Sequence, residues 1–73
     1  MTGLPAVRPN EVIAVLRKIG YEVDHQTGSH SIMYRPGSLP ITVPRHNRDL
    51  KKGMLHQILR GAGLSADEFL KLR

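Results

Sequence analysis

Three features of this 73-residue sequence predict an α+β fold with the element order α-β-β-β-α. Apolar residues recur at helical spacing near the start, alternate in steps of two through the middle, and return to helical spacing in the last third. These periods are informative because a 3.6-residue repeat lines one face of a helix, whereas a two-residue repeat lines one face of a strand.

The first helix is expected from Pro9 to Ile19. Pro9 suits a first helical position, where its missing N–H costs nothing. Glu11 complements the positive end of the helix dipole, and Lys18 the negative end before Gly20. Val12, Ile13, Leu16 and Ile19 form its apolar stripe. After Gly20, Tyr21, Val23 and His25 alternate with Glu22, Asp24 and Gln26, the pattern of a half-exposed strand. Gly28-Ser29 supplies a turn. His30, Ile32 and Tyr34 then alternate with Ser31, Met33 and Arg35 in a second strand. Pro36-Gly37-Ser38 turns the chain again, and Ile41-Thr42-Val43 is a short third strand stopped by Pro44. Strands joined by such short turns predict an antiparallel meander.

The segment RHNRDLKKG, residues 45 to 53, reads as a polar loop entering a second helix. Met54, Leu55, Ile58 and Leu59 are its stripe, and Gly61 or Gly63 its end. Ser65-Ala66-Asp67-Glu68 has the capping-box pattern and should start a short last helix carrying Phe69 and Leu72. Three strands and two main helices bury their apolar faces by stacking as two layers, both helices on one face of the sheet. That is the double-stranded-RNA-binding type of fold, here as a single domain over residues 1–73.

Composition narrows the function classes. The chain has no cysteine, which excludes disulfides and cysteine-based zinc sites. The N-terminus MTGLPAVRPN lacks the pattern of a secretory leader, and no run approaches the roughly 18 apolar residues of a membrane span, so a cytoplasmic domain is expected. The formal charge is +5, and residues 35–60 carry all of it, with Arg35, Arg45, Arg48, Lys51, Lys52 and Arg60 opposed only by Asp49. A localised basic surface suits an anionic partner, nucleic acid above all, though a solvated face gives the same composition. With only Tyr21, Tyr34 and Phe69 as aromatics, a base-stacking platform is poorly supported.

The chemistry centres on TGSHSIMYRPG, residues 27–37. His30 follows a glycine turn, where the backbone is exposed and a substrate has access. Imidazole is the side chain best suited to proton transfer near neutral pH. By alternation His30 shares a face with Ile32 and Tyr34, so a core or edge role stands beside the chemical one. His25 lies roughly across the turn from His30, His46 sits in the basic loop, and His56 falls on the polar side of the second helix. No tight histidine pair suggests a metal site. Lys51-Lys52-Gly53 opens the second helix, where free backbone N–H groups and two ammonium groups suit a phosphate. Gly53 in the first helical turn suggests close approach by a ligand or tight contact with the sheet.

GSHSIMYRPG, then ITVPRH, then DLKKGMLHQILRGAGLSADEFL resembles the HicA family of small bacterial mRNA interferase toxins, from about Val7 to Leu72. The resemblance implies a double-stranded-RNA-binding-like fold, mRNA cleavage without a metal or other cofactor, and silencing by a HicB-type antitoxin encoded beside the toxin. It makes His30, in Gly-Ser-His, the catalytic residue, and His46, in Val-Pro-x-His, a second-tier one. Where members often carry a second polar residue or histidine, this chain has Ser31. Where many have an aromatic, it has Met33. Arg45, His46, Arg48, Lys51, Lys52 and Gly53 become the expected RNA contacts, one or more of the cations facing the reacting phosphate. Two readings compete with it: a non-catalytic RNA-binding module on the same fold, and a protein whose basic face meets only an acidic partner.

Overall fold

The computed structural model describes residues 4–73. Its elements are α1 (Pro9–Lys18), β1 (Glu22–Gln26), β2 (His30–Tyr34), β3 (Ile41–Pro44), α2 (Lys52–Ala62) and α3 (Ala66–Leu72). The strands form one antiparallel sheet in the order β1-β2-β3. The α+β meander expected from the sequence is present, with a short terminal helix.

One side of the sheet is the floor of the core. Ser31, Met33, Ile41 and Val43 are buried there. Against them pack Val12, Val15 and Leu16 of α1, Leu55, Ile58, Leu59 and Ala62 of α2, and Phe69 of α3. Burying each large apolar side chain is worth about 1.5–3 kcal/mol, and in so small a domain few can be spared. Met33, where an aromatic was the family expectation, is fully buried in this core. The opposite side of β2, carrying His30, Ile32 and Tyr34, is open.

Several local details differ from the sequence expectation, each for a physical reason. Val23 pairs with Met33 but His25 pairs with Ile32, so Asp24 is the extra residue of a β-bulge. The bulge breaks the alternation of Tyr21, Val23 and His25 and turns His25 onto the open face beside Ile32. Thr27, not His25, stands across from His30, its N–H donating to the His30 carbonyl. All five residues of β1 are exposed rather than half of them, because β1 is an edge strand while α1 and α2 pack over β3. Tyr21, just before β1, is fully buried instead. The Arg35 guanidinium lies 4.5 Å from its ring centroid and donates to the Ile19 carbonyl at 2.9 Å. Pro44 is the last residue of β3 rather than its stop, since it pairs with His30 at an edge that needs no N–H.

The helix ends are equally local. Helix α1 stops at Lys18, with Ile19 as its cap. Gly63, not Gly61, ends α2: it adopts φ +73°, and the N–H of Leu64 reaches back to the Leu59 carbonyl at 2.9 Å. Met54, expected on the buried stripe, is 37% exposed in the first turn of α2. A Cβ built on Gly53 meets nothing within 4 Å, so contact with the sheet is not what that glycine serves. The capping box of α3 is as expected, with Ser65 Oγ accepting from the Glu68 N–H at 3.1 Å.

Candidate functional site

The turn between β1 and β2 is tied by one threonine. Thr27 Oγ1 accepts from the N–H of Ser29 at 3.3 Å and of His30 at 3.0 Å. The Thr27 N–H donates to the His30 carbonyl at 2.9 Å. These bonds fix the backbone on both sides of Gly28 and hold the first residue of β2 at the sheet end. Ser31 points into the core at 1% exposure, so His30 next to it must point the other way, and it is exposed. The core or edge role weighed for His30 therefore does not apply to its side chain. Ser31 likewise cannot share a reaction centre with His30, because the two leave the strand on opposite faces.

Ser29 Oγ lies 3.0 Å from Nδ1 of His30. Nε2 has no protein partner among the described residues. One ring nitrogen is held and the other faces outward, the disposition a proton-transfer imidazole needs.

Arg45 joins the same turn from the end of β3. Its N–H donates to the Ser29 carbonyl at 2.7 Å. Its guanidinium Nη1 donates to the Thr27 carbonyl at 3.3 Å. The charge is thus anchored beside the residues that carry His30. Just beyond, Arg45, His46 and Asn47 meet Gly28 and the start of α1, Pro9 and Asn10, around an open cavity of about 300 Å³. His46 turns its Nδ1 inward to accept from the Arg48 N–H at 3.2 Å. The loop is pinned at its far end by the Leu50 N–H, which donates to the Val7 carbonyl at 2.7 Å.

The expected contact residues therefore divide. His30, Arg45 and His46 gather about the β1–β2 turn. Lys51, Lys52 and Gly53 open α2 after the Leu50 anchor, and no hydrogen bond or shared cavity joins them to His30 among the described residues. Lys51 is the N-cap of α2 without a side-chain capping bond, and the first turn holds no acidic residue. Its first amides and two ammonium groups are left facing solvent. Arg48, Lys51 and Lys52 form no ion pair among the described residues, where the recorded pairs are Arg8–Asp49 and Arg73–Glu11. Arg35 is taken by the Tyr21 ring and by Ser38 and cannot serve as a phosphate ligand without breaking those contacts. His56 is exposed on α2, as its polar position implied. Nowhere among the described residues do three His, Asp or Glu side chains come close enough to share a metal ion. No helix there is long and apolar enough to cross a membrane.

Thr27, Asn10 and Asn47 were not singled out by sequence. Asn10 reads as a first-turn helix residue and Asn47 as loop, and neither carries a periodic signal. Only the fold brings them to Gly28 and Arg45.

A family model described as the HicA toxin of bacterial toxin-antitoxin matches residues 9–64. The match runs from the first residue of α1 past the end of α2, and so contains the Gly28–His30 turn, Arg45 and the cavity. No curated protein matches the sequence.

Proposed function

The chain belongs to the HicA toxin family, and from that premise we propose that it is a metal-independent mRNA endoribonuclease with His30 as general acid and base. It acts as the toxin of a type II pair whose partner is a HicB-type antitoxin. The observation that carries the reading is the state of His30: exposed at a strand end, Nδ1 held by Ser29, and Nε2 unspent.

The chemistry follows from those groups. His30 Nε2 takes the proton of a ribose 2′-hydroxyl as that oxygen attacks the adjacent phosphorus. The bond to the 5′-oxygen breaks, and a proton returns to that oxygen as it leaves. The products are a 2′,3′-cyclic phosphate and a 5′-hydroxyl, so hydroxyl, phosphate and proton are all accounted for without an external reactant. A positioned acid–base group contributes typically 10²–10⁴-fold. Arg45, anchored beside the turn, opposes the negative charge that builds on the phosphoryl oxygens. Arg48, Lys51 and Lys52 guide the rest of the strand through its phosphates.

The test is His30→Ala. The side chain is exposed and packs against nothing in the core, so the circular-dichroism melt and the RNA affinity should hold. Cleavage of a purified mRNA and growth arrest should both disappear. A variant that still cuts at near the wild-type rate would take the chemistry away from His30. A wild-type protein that binds mRNA without cutting it would leave only the binding module.

A further inference from the structure

The cavity beside the His30 turn is distinct from the imidazole and is built from different residues. It lies between the start of α1 and the β3–α2 loop, with Gly28 in its wall. Its lining is polar almost throughout, unlike a pocket for an apolar small molecule or a protein hot spot. The side-chain hydrogen bonds around it belong to Arg45 and His46. The amides of Asn10 and Asn47 take part in none among the described residues. An unspent asparagine amide offers a donor and an acceptor side by side, the pattern that pairs with the edge of a nucleobase.

Size and placement limit the occupant further. About 300 Å³ is the lower end of ligand pockets, roughly 300–1,000 Å³, and suits one nucleotide rather than a duplex. Sequence is read in RNA mostly from unstacked single-stranded bases. Gly28 has ordinary backbone angles, and a Cβ there meets nothing within 4 Å. Its missing side chain therefore serves the cavity and not internal packing. Arg45 lines the cavity and also bonds the Thr27 and Ser29 carbonyls of the turn that holds His30, so a nucleotide seated here lies beside that turn.

We propose that this cavity is the subsite for one nucleotide flanking the cleaved phosphate, and that the amides of Asn10 and Asn47 read its base. The proposal deepens the ribonuclease reading and rests on it for the identity of the ligand. Its test is independent of cleavage.

Four hexanucleotides, each of a single base and 2′-O-methylated throughout, cannot be cut because the attacking hydroxyl is absent. The wild type should bind one of them at least about fivefold more tightly than the others, the range one good base contact supplies. Asn10→Ala and Asn47→Ala should each shrink that preference to less than about twofold. The dependence on salt should not change, since no phosphate contact is lost. Gly28→Leu should weaken binding of all four about tenfold while the melting temperature holds, because the new side chain enters empty space. Equal affinity for the four bases, a preference that survives both asparagine variants, or full affinity in Gly28→Leu would each overturn the subsite. None of these outcomes depends on whether His30 is catalytic, so the two readings fail separately.

Discussion

The hydroxyl oxygen of Ser29 lies 3.0 Å from Nδ1 of His30, the residue that follows it. When Nδ1 carries the proton, its N–H donates to the serine oxygen, Nε2 is bare and His30 is a base. Once Nε2 takes up a proton, Nδ1–H still donates to the same oxygen and the imidazolium is the acid. The serine oxygen accepts in both states, so one contact holds the ring through both halves of an acid–base cycle. Ser29 is in this sense a positioning residue for the imidazole.

Ser29→Ala should therefore lower kcat for RNA cleavage about tenfold and leave KM within about twofold, since the hydrogen bond orients His30 but binds no substrate. Ser29→Thr, which keeps the hydroxyl, should restore most of the rate. Initial-rate kinetics on one labelled RNA check both. A rise in KM without loss of kcat, or an alanine variant as fast as the threonine one, would remove the positioning role.

Metal removal gives a second expectation. Metal-dependent nucleases hold their ions with clustered carboxylates or histidines, and no three such side chains come together among the described residues. Cleavage measured with EDTA present should match cleavage without it. Activity that disappears on chelation and returns with Mg²⁺ or Zn²⁺ would overturn the mechanism.

How much of this was legible before the fold is instructive. The order of elements followed from the change of period at Gly20 and again after Val43, and the α3 cap followed from Ser65 and Glu68. The bulge at Asp24 was not legible, because one extra residue leaves composition and turn signals unchanged while moving His25 to the other face. Nor could alternation alone say which side of β2 is the core: Ile32 and Tyr34 look as apolar as Met33, and only packing of α1 and α2 decides it. His30 and Arg45 were readable as candidates from type and place. Their connection through Ser29 and Thr27 was not, since it needs the register in which Pro44 faces His30. Asn10 and Asn47 stood 37 positions apart in the sequence with nothing to relate them.

The ion pair between Glu11 and Arg73 concerns stability. Arg73 Nη2 lies 2.8 Å from Glu11 Oε2 and ties the C-terminal residue to the first turn of α1. The hydrogen bond from Arg73 is the main reason the Glu11 carboxyl titrates below its ordinary value of 4.5. A carboxylate lowered in the folded state adds stability that is fully present above the unfolded value and is lost as pH falls through the folded one. Both side chains are more than a third exposed, so the pair is worth only about 0.5 kcal/mol. Arg73→Gln should lower the melting temperature by about 2–4 °C at pH 7. At about pH 3, below the unfolded value and nearer the lowered folded one, the difference should be smaller. Melts of both proteins at the two pH values decide it, and an equal difference at each would show that the pair is not its source.

The last expectation separates the basic residues by role. Arg45 is fixed against the His30 turn, whereas Lys51 and Lys52 stand at the uncapped start of α2, where amides and ammonium groups face solvent together. Replacing both lysines by glutamine should weaken RNA binding for every sequence. It should also flatten the slope of log K against log salt by about 1.4, since each phosphate contact on a single strand contributes about 0.7. Cleavage positions should stay where they are, because phosphate contacts hold the strand without reading its bases. Arg45→Gln should instead cut the rate more than the affinity, because the role proposed for its charge is at the reacting phosphate. We assign the same lysine surface to acidic groups of the proposed antitoxin, so the double variant should bind that partner more weakly as well. Isotherms at several salt concentrations give the slopes. An unchanged slope in the lysine variant would shift the RNA path to another basic surface, with Arg17 and Lys18 on α1 the next residues to replace.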